Sequence, residues 1–244
     1  MLTGLPLCKN RVEKGTYFAA LLALLALQTT PLSAASQRIV DSQGRDYFPP
    51  EISALTPECQ YSWNKDPPKL IPLLSASYKS DVARNLRVAR ESSIVGKAQL
   101  AKYPEVVRFV WWHDMWSTVT IRVEMGPKKS RLTAKMASWF YNDYKRRLAR
   151  TLTDDEVRQF TALLRETRLF DSRPDDCAIV LDGTNWFLET NGPKGYDFVE
   201  RTSPGADKPA FIVGKFLFGL TGWKTGMLQY EIENARIDED EDEE

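Results

Sequence analysis

The sequence predicts an α+β domain: an antiparallel sheet with two helices packed on one face, two layers in all, plus an irregular N-terminal extension. Three observations carry this. Residues 106–137 hold three strand-like runs in succession. A second strand pair, within residues 182–204 (DGTNWFLETNGPKGYDFVERTSP), is folded on a glycine-containing turn. Each block is followed by a helical segment with apolar residues to bury, one opening at Thr153 and one at Pro209. Strands then helix, twice over, is the α+β pattern.

Composition supports a packed core. The 244-residue chain is 43% hydrophobic and 27% charged, which is ordinary for a globular domain. Its formal net charge is zero. That excludes a nucleic-acid binder driven by bulk electrostatics.

Residues 1–35 read as a secretory signal peptide. Lys9, Arg11 and Lys14 precede an apolar run at 17–27 (YFAALLALLAL), Pro31 breaks it, and Ser33-Ala34-Ala35 presents small residues for cleavage near Ala35. The run is too short for a spanning helix, which needs roughly 20 residues. The expectation is a periplasmic or extracellular protein with no stable membrane span after cleavage. Residues 36–77 read as an irregular, proline-rich extension: Pro49-Pro50, Pro57, Pro67-Pro68 and Pro72 forbid long regular structure. Residues 78–225 form the single α+β domain, and 226–244 an acidic disordered tail. Of 33 basic and 33 acidic residues, removing the signal segment and the acidic run 238–244 leaves 30 against 25, a mildly basic body.

Cysteine usage fits export. Beyond the signal segment only Cys59 and Cys177 remain. An even pair in an oxidising compartment predicts a Cys59–Cys177 disulfide, which would also pin the extension to the domain. Two cysteines and a single histidine do not make a recognisable metal-ligand set, so no metal and no cofactor are expected.

The elements follow in order. Residues 81–91 (DVARNLRVARE) favour a short basic helix, with Val82, Leu86 and Ala89 near one face. Residues 106–112 (VVRFVWW) are apolar but for Arg108. Val119, Ile121 and Val123 then alternate with Thr118, Thr120, Arg122 and Glu124, and Leu132, Ala134 and Met136 repeat the alternation after the Gly126-Pro127 turn. The three runs predict an antiparallel meander with one face wet. Residues 139–150, basic and aromatic, have no clear periodicity. Thr153 and Glu156 form a capping box, with Val157, Phe160, Leu163 and Leu164 as the buried stripe. In the hairpin, Trp186 and Leu188 share one face and Phe187 and Glu189 the other. Tyr196, Phe198 and Glu200 alternate with Asp197, Val199 and Arg201. Asp207 is the expected cap of the last helix, Pro209 suits its start, and Gly222 its end.

From Arg108 onward the chain resembles a group of uncharacterised bacterial exported proteins. The residues that carry the likeness are Arg108 and Trp111 in an early strand, Arg122 and Glu124 closing the next, and Leu152, Thr153 and Glu156 opening a helix. Asp182, Gly183, Trp186 and Glu189 then make a D-G-x-x-W-x-x-E element, Gly195, Tyr196, Arg201, Ser203 and Pro204 its return, and Leu220 and Gly222 end the last helix. The return matches loosely, because four residues separate Tyr196 from Arg201. About half of the chain is covered. The resemblance implies an extracytoplasmic α+β domain and brings no reaction with it.

Candidate chemistry is sparse. Asp182, Glu189 and Glu200 lie near one hairpin, and paired carboxylates suit acid–base hydrolysis. The competing reading pairs Glu189 with Arg108 or Arg201 across strands. His113, the single histidine, would have to serve any nucleophilic triad, and no G-x-S-x-G elbow accompanies it. Trp111 and Trp186 suit the core, while Trp112 and Trp116 are the tryptophans expected at a surface patch. Lys145, Arg146, Arg147 and Arg150 form a basic run that either meets an acidic lipid or glycan or is a solvated face. No phosphate-binding glycine loop occurs.

The function these residues support is non-catalytic: an exported interaction module for an envelope protein or polymer, with Trp112, Trp116, Glu189, Tyr196 and Arg201 as its binding residues. A hydrolase using Asp182, Glu189 or Glu200 is the first alternative, and it requires two carboxylates in one open cleft. A structural assembly subunit is the second, its clue an apolar patch around Trp112 and Trp116.

Overall fold

The computed structural model describes residues 39–53, 55–60, 65–72, 74–95, 97–113, 117–138, 143–175, 177, 183–224 and 226–234. The signal segment with Ala35, Trp116, Asp182 and the acidic run 238–244 lie outside them. The protein is α+β. Two short strands, β1 (Leu55–Pro57) and β2 (Leu70–Pro72), pair in the extension. The main sheet has six antiparallel strands: β3 (Glu105–His113), β4 (Thr118–Met125), β5 (Arg131–Ser138), β6 (Asp143–Thr151), β7 (Thr184–Gly192) and β8 (Gly195–Thr202), in the order β6-β5-β4-β3-β7-β8.

β3 lies near the middle of the sheet, between β4 and β7. Its residues from Val106 to Trp112 are all buried. That explains its nearly unbroken apolar run, since a strand covered on both faces has no wet side to mark with polar residues. The untyped stretch after Trp139 contributes the edge strand β6. Its Lys- and Arg-rich sequence has little strand character, and it is a strand because it pairs along β5 from Arg131↔Thr151 to Ser138↔Asp143. Cationic residues on an edge also oppose pairing with other chains.

One face is the main core. Val107, Phe109, Trp111, Val119, Ile121, Val123, Trp186 and Leu188 meet α3 (Asp154–Thr167), α4 (Pro209–Thr221) and α5 (Gly226–Asn234). α3 opens on the expected capping box, with Thr153 and Glu156 bonded reciprocally. α4 has Pro209 in its first turn and ends at Gly222 in the left-handed conformation, φ +64°. Its cap corrects the expectation: Lys208, not Asp207, occupies the N-cap, and no side chain bonds the helix start. Asp207 instead pairs with Lys208 Nζ at 3.2 Å. α4 lies hard against the sheet at Gly214, where an added Cβ would come 2.4 Å from the Trp186 ring. α5 occupies residues that the sequence reading gave to the tail. Leu228 is buried in the core, and a helix of nine residues has a weak signal in sequence.

Over β3, β4 and β7 the other face is not wet, which corrects the meander expectation; toward the β6 edge, at Arg131 and Arg147, it stays exposed. The extension and α1 (Ala76–Val88) cover the dry part. Tyr47, Phe48, Ile52, Leu74, Val82 and Leu86 pack on Val110, Trp112, Phe187 and Phe198. α2 (Lys97–Lys102) then leads into β3. Cys59 and Cys177 are disulfide-bonded, Cα–Cα 5.5 Å across a sequence separation of 118. The bond ties the extension to the loop before β7. Asp41 adds a second tie. Its carboxylate accepts hydrogen bonds from Gln43 N, Arg45 N and Arg45 Nε, and from Ser93 N at 3.0 Å. No helix among the described residues is long and apolar enough to cross a membrane.

Candidate functional site

Strand register places the polar residues of the covered face in a transverse row. Arg108 lies opposite Glu189 on β7 and opposite Arg122 on β4, and Arg122 lies opposite Thr133 on β5. Like charges directly opposite each other destabilise a sheet, so Arg108 and Arg122 need a shared anion. Glu91, just beyond α1, supplies it. Its carboxylate lies 3.2 Å from Arg122 Nη1, 3.9 Å from Arg108 Nη1 and 2.6 Å from Lys135 Nζ. Glu189 receives Arg108 Nε at 2.6 Å and Nη2 at 2.5 Å, and Tyr196 Oη donates to its other oxygen at 2.7 Å. Glu124 stands 3.5 Å from Arg122 Nε. Three cations meet three anions, and Arg108, Glu189 and Glu91 are at most 2% exposed.

Burial dominates the ionisation of this group. It pushes the Glu189 carboxyl up, against the pull of Arg108 and Tyr196. It pushes the Tyr196 phenol well up, and the Glu189 charge adds to the effect. It lowers the Lys135 ammonium, opposed by Glu91. A cluster so enclosed stabilises and orients.

The expected binding residues therefore part company. Glu189 and Tyr196 are together, bonded to each other inside the fold. Trp112, expected at the surface, is 4% exposed and packs against Tyr78 at 5.6 Å between ring centroids. The correction has a simple cause, because α1 covers the face that Trp112 shares with Val110. Arg201 holds a loop: it donates to the Pro174 and Arg173 carbonyls and to Ser172 Oγ. That loop leads to Cys177. Trp116 and Asp182 fall outside the described residues. The hydrolase alternative requires two of Asp182, Glu189 and Glu200 in one open cleft; Glu189 is 0% exposed, Glu200 is half-buried and Asp182 falls outside the described residues.

A second polar group was not legible in the sequence. Glu231 of α5 accepts from Trp111 Nε1 at 2.5 Å and from the Thr184 hydroxyl, and Trp186 Nε1 donates to that same hydroxyl at 3.1 Å. Burial pushes the Glu231 carboxyl up. The arrangement latches α5 to the sheet and gives the two core tryptophans their hydrogen-bond partners.

Among the described residues an open cleft lies at the sheet edge. Tyr103, Lys129, Ser130, Arg131, Ala149, Arg150 and Thr151 line a cleft of about 270 Å³ where the β4–β5 turn meets the end of β6. Tyr103 forms a fixed wall: its ring packs on Gly126, where an added Cβ would come within 3.2 Å of it. Lys102 Nζ lies 5.2 Å from the centre of that ring. Arg150 is neutralised by Glu156 through two hydrogen bonds, at 2.6 and 2.9 Å. Lys102, Lys129, Arg131 and Arg147 make no ion pair with a described carboxylate. Glu124 faces Arg131 in register but is buried and engaged with Arg122. The cleft holds fixed positive charge, with hydroxyl donors at Tyr103 and Thr151.

Fold and site together define an α+β domain with a closed internal ion network and an exposed basic cleft. Compared with protein-family models the chain matches none, and compared with curated proteins it finds no relative.

Proposed function

We propose that this protein is an exported, non-catalytic binding module whose partner is a protein or polymer of the cell envelope. The observation that carries the reading is the contrast between its two sets of charges. Glu189 and its partners Arg108 and Tyr196 are consumed inside the fold, while Lys102, Lys129, Arg131 and Arg147 stand at an open edge without a described acidic partner. Fixed like charges at a concave site favour a ligand that supplies the counter-charge. The disulfide and the lack of a long apolar helix among the described residues support export and release from the membrane after signal cleavage near Ala35.

The test is capture from an envelope extract with the exported protein as bait. A K129A/R131A/R147A variant runs beside it. All three residues are exposed, so their loss leaves the core intact. The reading expects a specific partner on the wild-type bait. An empty bait under low and high salt would refute it.

A further inference from the structure

We infer that the edge cleft is the binding site for a linear polyanion, a polymer bearing regularly spaced phosphate or carboxylate groups. This deepens the binding-module reading and rests on it. The first reason is geometry. Arg131 pairs with Thr151 and Lys135 with Arg147, so Arg131 and Arg147 mark positions four residues apart along the β5–β6 ladder. At about 3.3 Å per residue that is about 13 Å. Register places both side chains on the sheet face that carries Lys135, which burial and the neighbouring Glu91 and Arg147 charges perturb. Lys129 and Tyr103 extend the row beyond Arg131. A single small anion fills one end of such a row. A repeating anion spans it.

The second reason is what the described surface lacks. Large exposed hydrophobic residues among those described are Leu70 and Tyr230, and neither lines the cleft. A protein interface needs a buried apolar or aromatic centre, and a lipid-docking face needs an apolar insert beside its cations. Guanidinium and ammonium groups flanked by hydroxyls suit oxyanions directly.

The third is the sequence itself. The basic run from Lys145 to Arg150 reads alone as a solvated face, and its alternation in β6 divides it. Arg146 sits over the Trp223 ring at 5.0 Å and Arg150 is bonded to Glu156. Arg147 is left on the cleft's face.

The experiment titrates the purified exported protein with fluorescein-labelled linear polyphosphate, followed by anisotropy. Parallel titrations use polygalacturonate, inorganic phosphate and phosphatidylglycerol vesicles. Bridging both ends of the row raises affinity through effective concentration, so polyphosphate or polygalacturonate should bind at least about 100-fold tighter than inorganic phosphate. Affinity should fall about 20- to 40-fold between 50 and 200 mM salt, as expected when about three cations release counterions. K129A/R131A/R147A should weaken binding at least 10-fold, whereas K215A/R158A, exposed cations on the helices, should not. Equal affinity for polymer and inorganic phosphate would overturn the inference. So would binding to vesicles alone, or binding unchanged in the triple variant. If the triple variant still captures its envelope partner, the polyanion site is wrong while the binding module stands. If no partner is captured at all, both fall.

Discussion

Glu91 is the residue on which the covered face depends, and Glu91→Gln isolates its charge at nearly constant shape. The carboxylate is 2% exposed and reaches Lys135 at 2.6 Å, Arg122 at 3.2 Å and Arg108 at 3.9 Å. Glutamine leaves Arg108, Arg122 and Lys135 with Glu189 and Glu124 alone, an excess of one buried positive charge. Desolvation offsets much of the attraction in an intact buried pair, but removing one partner strands the other and costs about 3–5 kcal/mol. Total stabilities run roughly 5–15 kcal/mol, so the loss is a large share. With a urea slope of about 2 kcal/mol per M, the midpoint followed by tryptophan fluorescence should drop by about 2 M. Adding Lys135→Met restores charge balance and should recover about half. A Glu91→Gln midpoint within about 0.3 M of wild type would refute the reasoning, because the network would then carry no net stabilisation.

Three further outcomes follow from the same structure. Burial raises the Asp41 carboxyl, but the Arg45 side chain and the Ser93, Arg45 and Gln43 amides outweigh it and hold the pKa at about 2, against 3.8 ordinarily. A depressed acid stabilises the fold above its ordinary pKa and loses that contribution as pH falls through the folded value. At 1.36 kcal/mol per unit, about 2 kcal/mol should disappear between pH 4 and pH 2, and urea unfolding of Asp41→Asn should lack that component. Replacing Cys59 and Cys177 together with serine opens a loop with a sequence separation of 118 and should lower stability by up to roughly 4–5 kcal/mol in the chain-entropy model, read by calorimetry. Gly214→Ala should cost about 1–3 kcal/mol by overpacking α4 on Trp186, measured by the same unfolding assay.

Much of the fold is legible in the sequence because it is encoded locally. The alternation at Val119, Ile121 and Val123, the Thr153–Glu156 box and the Asn191–Gly195 turn each specify an element from a few neighbouring residues. The facing of Trp186 and Leu188 away from Phe187 and Glu189 follows from strand parity alone. β6 was opaque because its residues favour no state by themselves, and pairing with β5 decides it. The covered face is hidden from the sequence for a related reason. Thr118, Thr120, Arg122 and Glu124 carry the pattern of a wet surface, and only distant residues, Glu91 and the 39–53 segment, make it interior. Trp112 follows the same logic. The candidate site is divided likewise: the basic run at β6 is plain in the sequence, but which of its cations remain available depends on Glu156 and Trp223.

The claim that binding belongs to the basic edge, and not to the aromatic hairpin, has one direct test. Hydrogen exchange followed by mass spectrometry would compare the protein alone with the protein saturated by linear polyphosphate. The account predicts slower exchange in residues 128–131 and 147–151, with β7 and β8 unchanged. Protection confined to β7 and β8, with the edge unaffected, would contradict it.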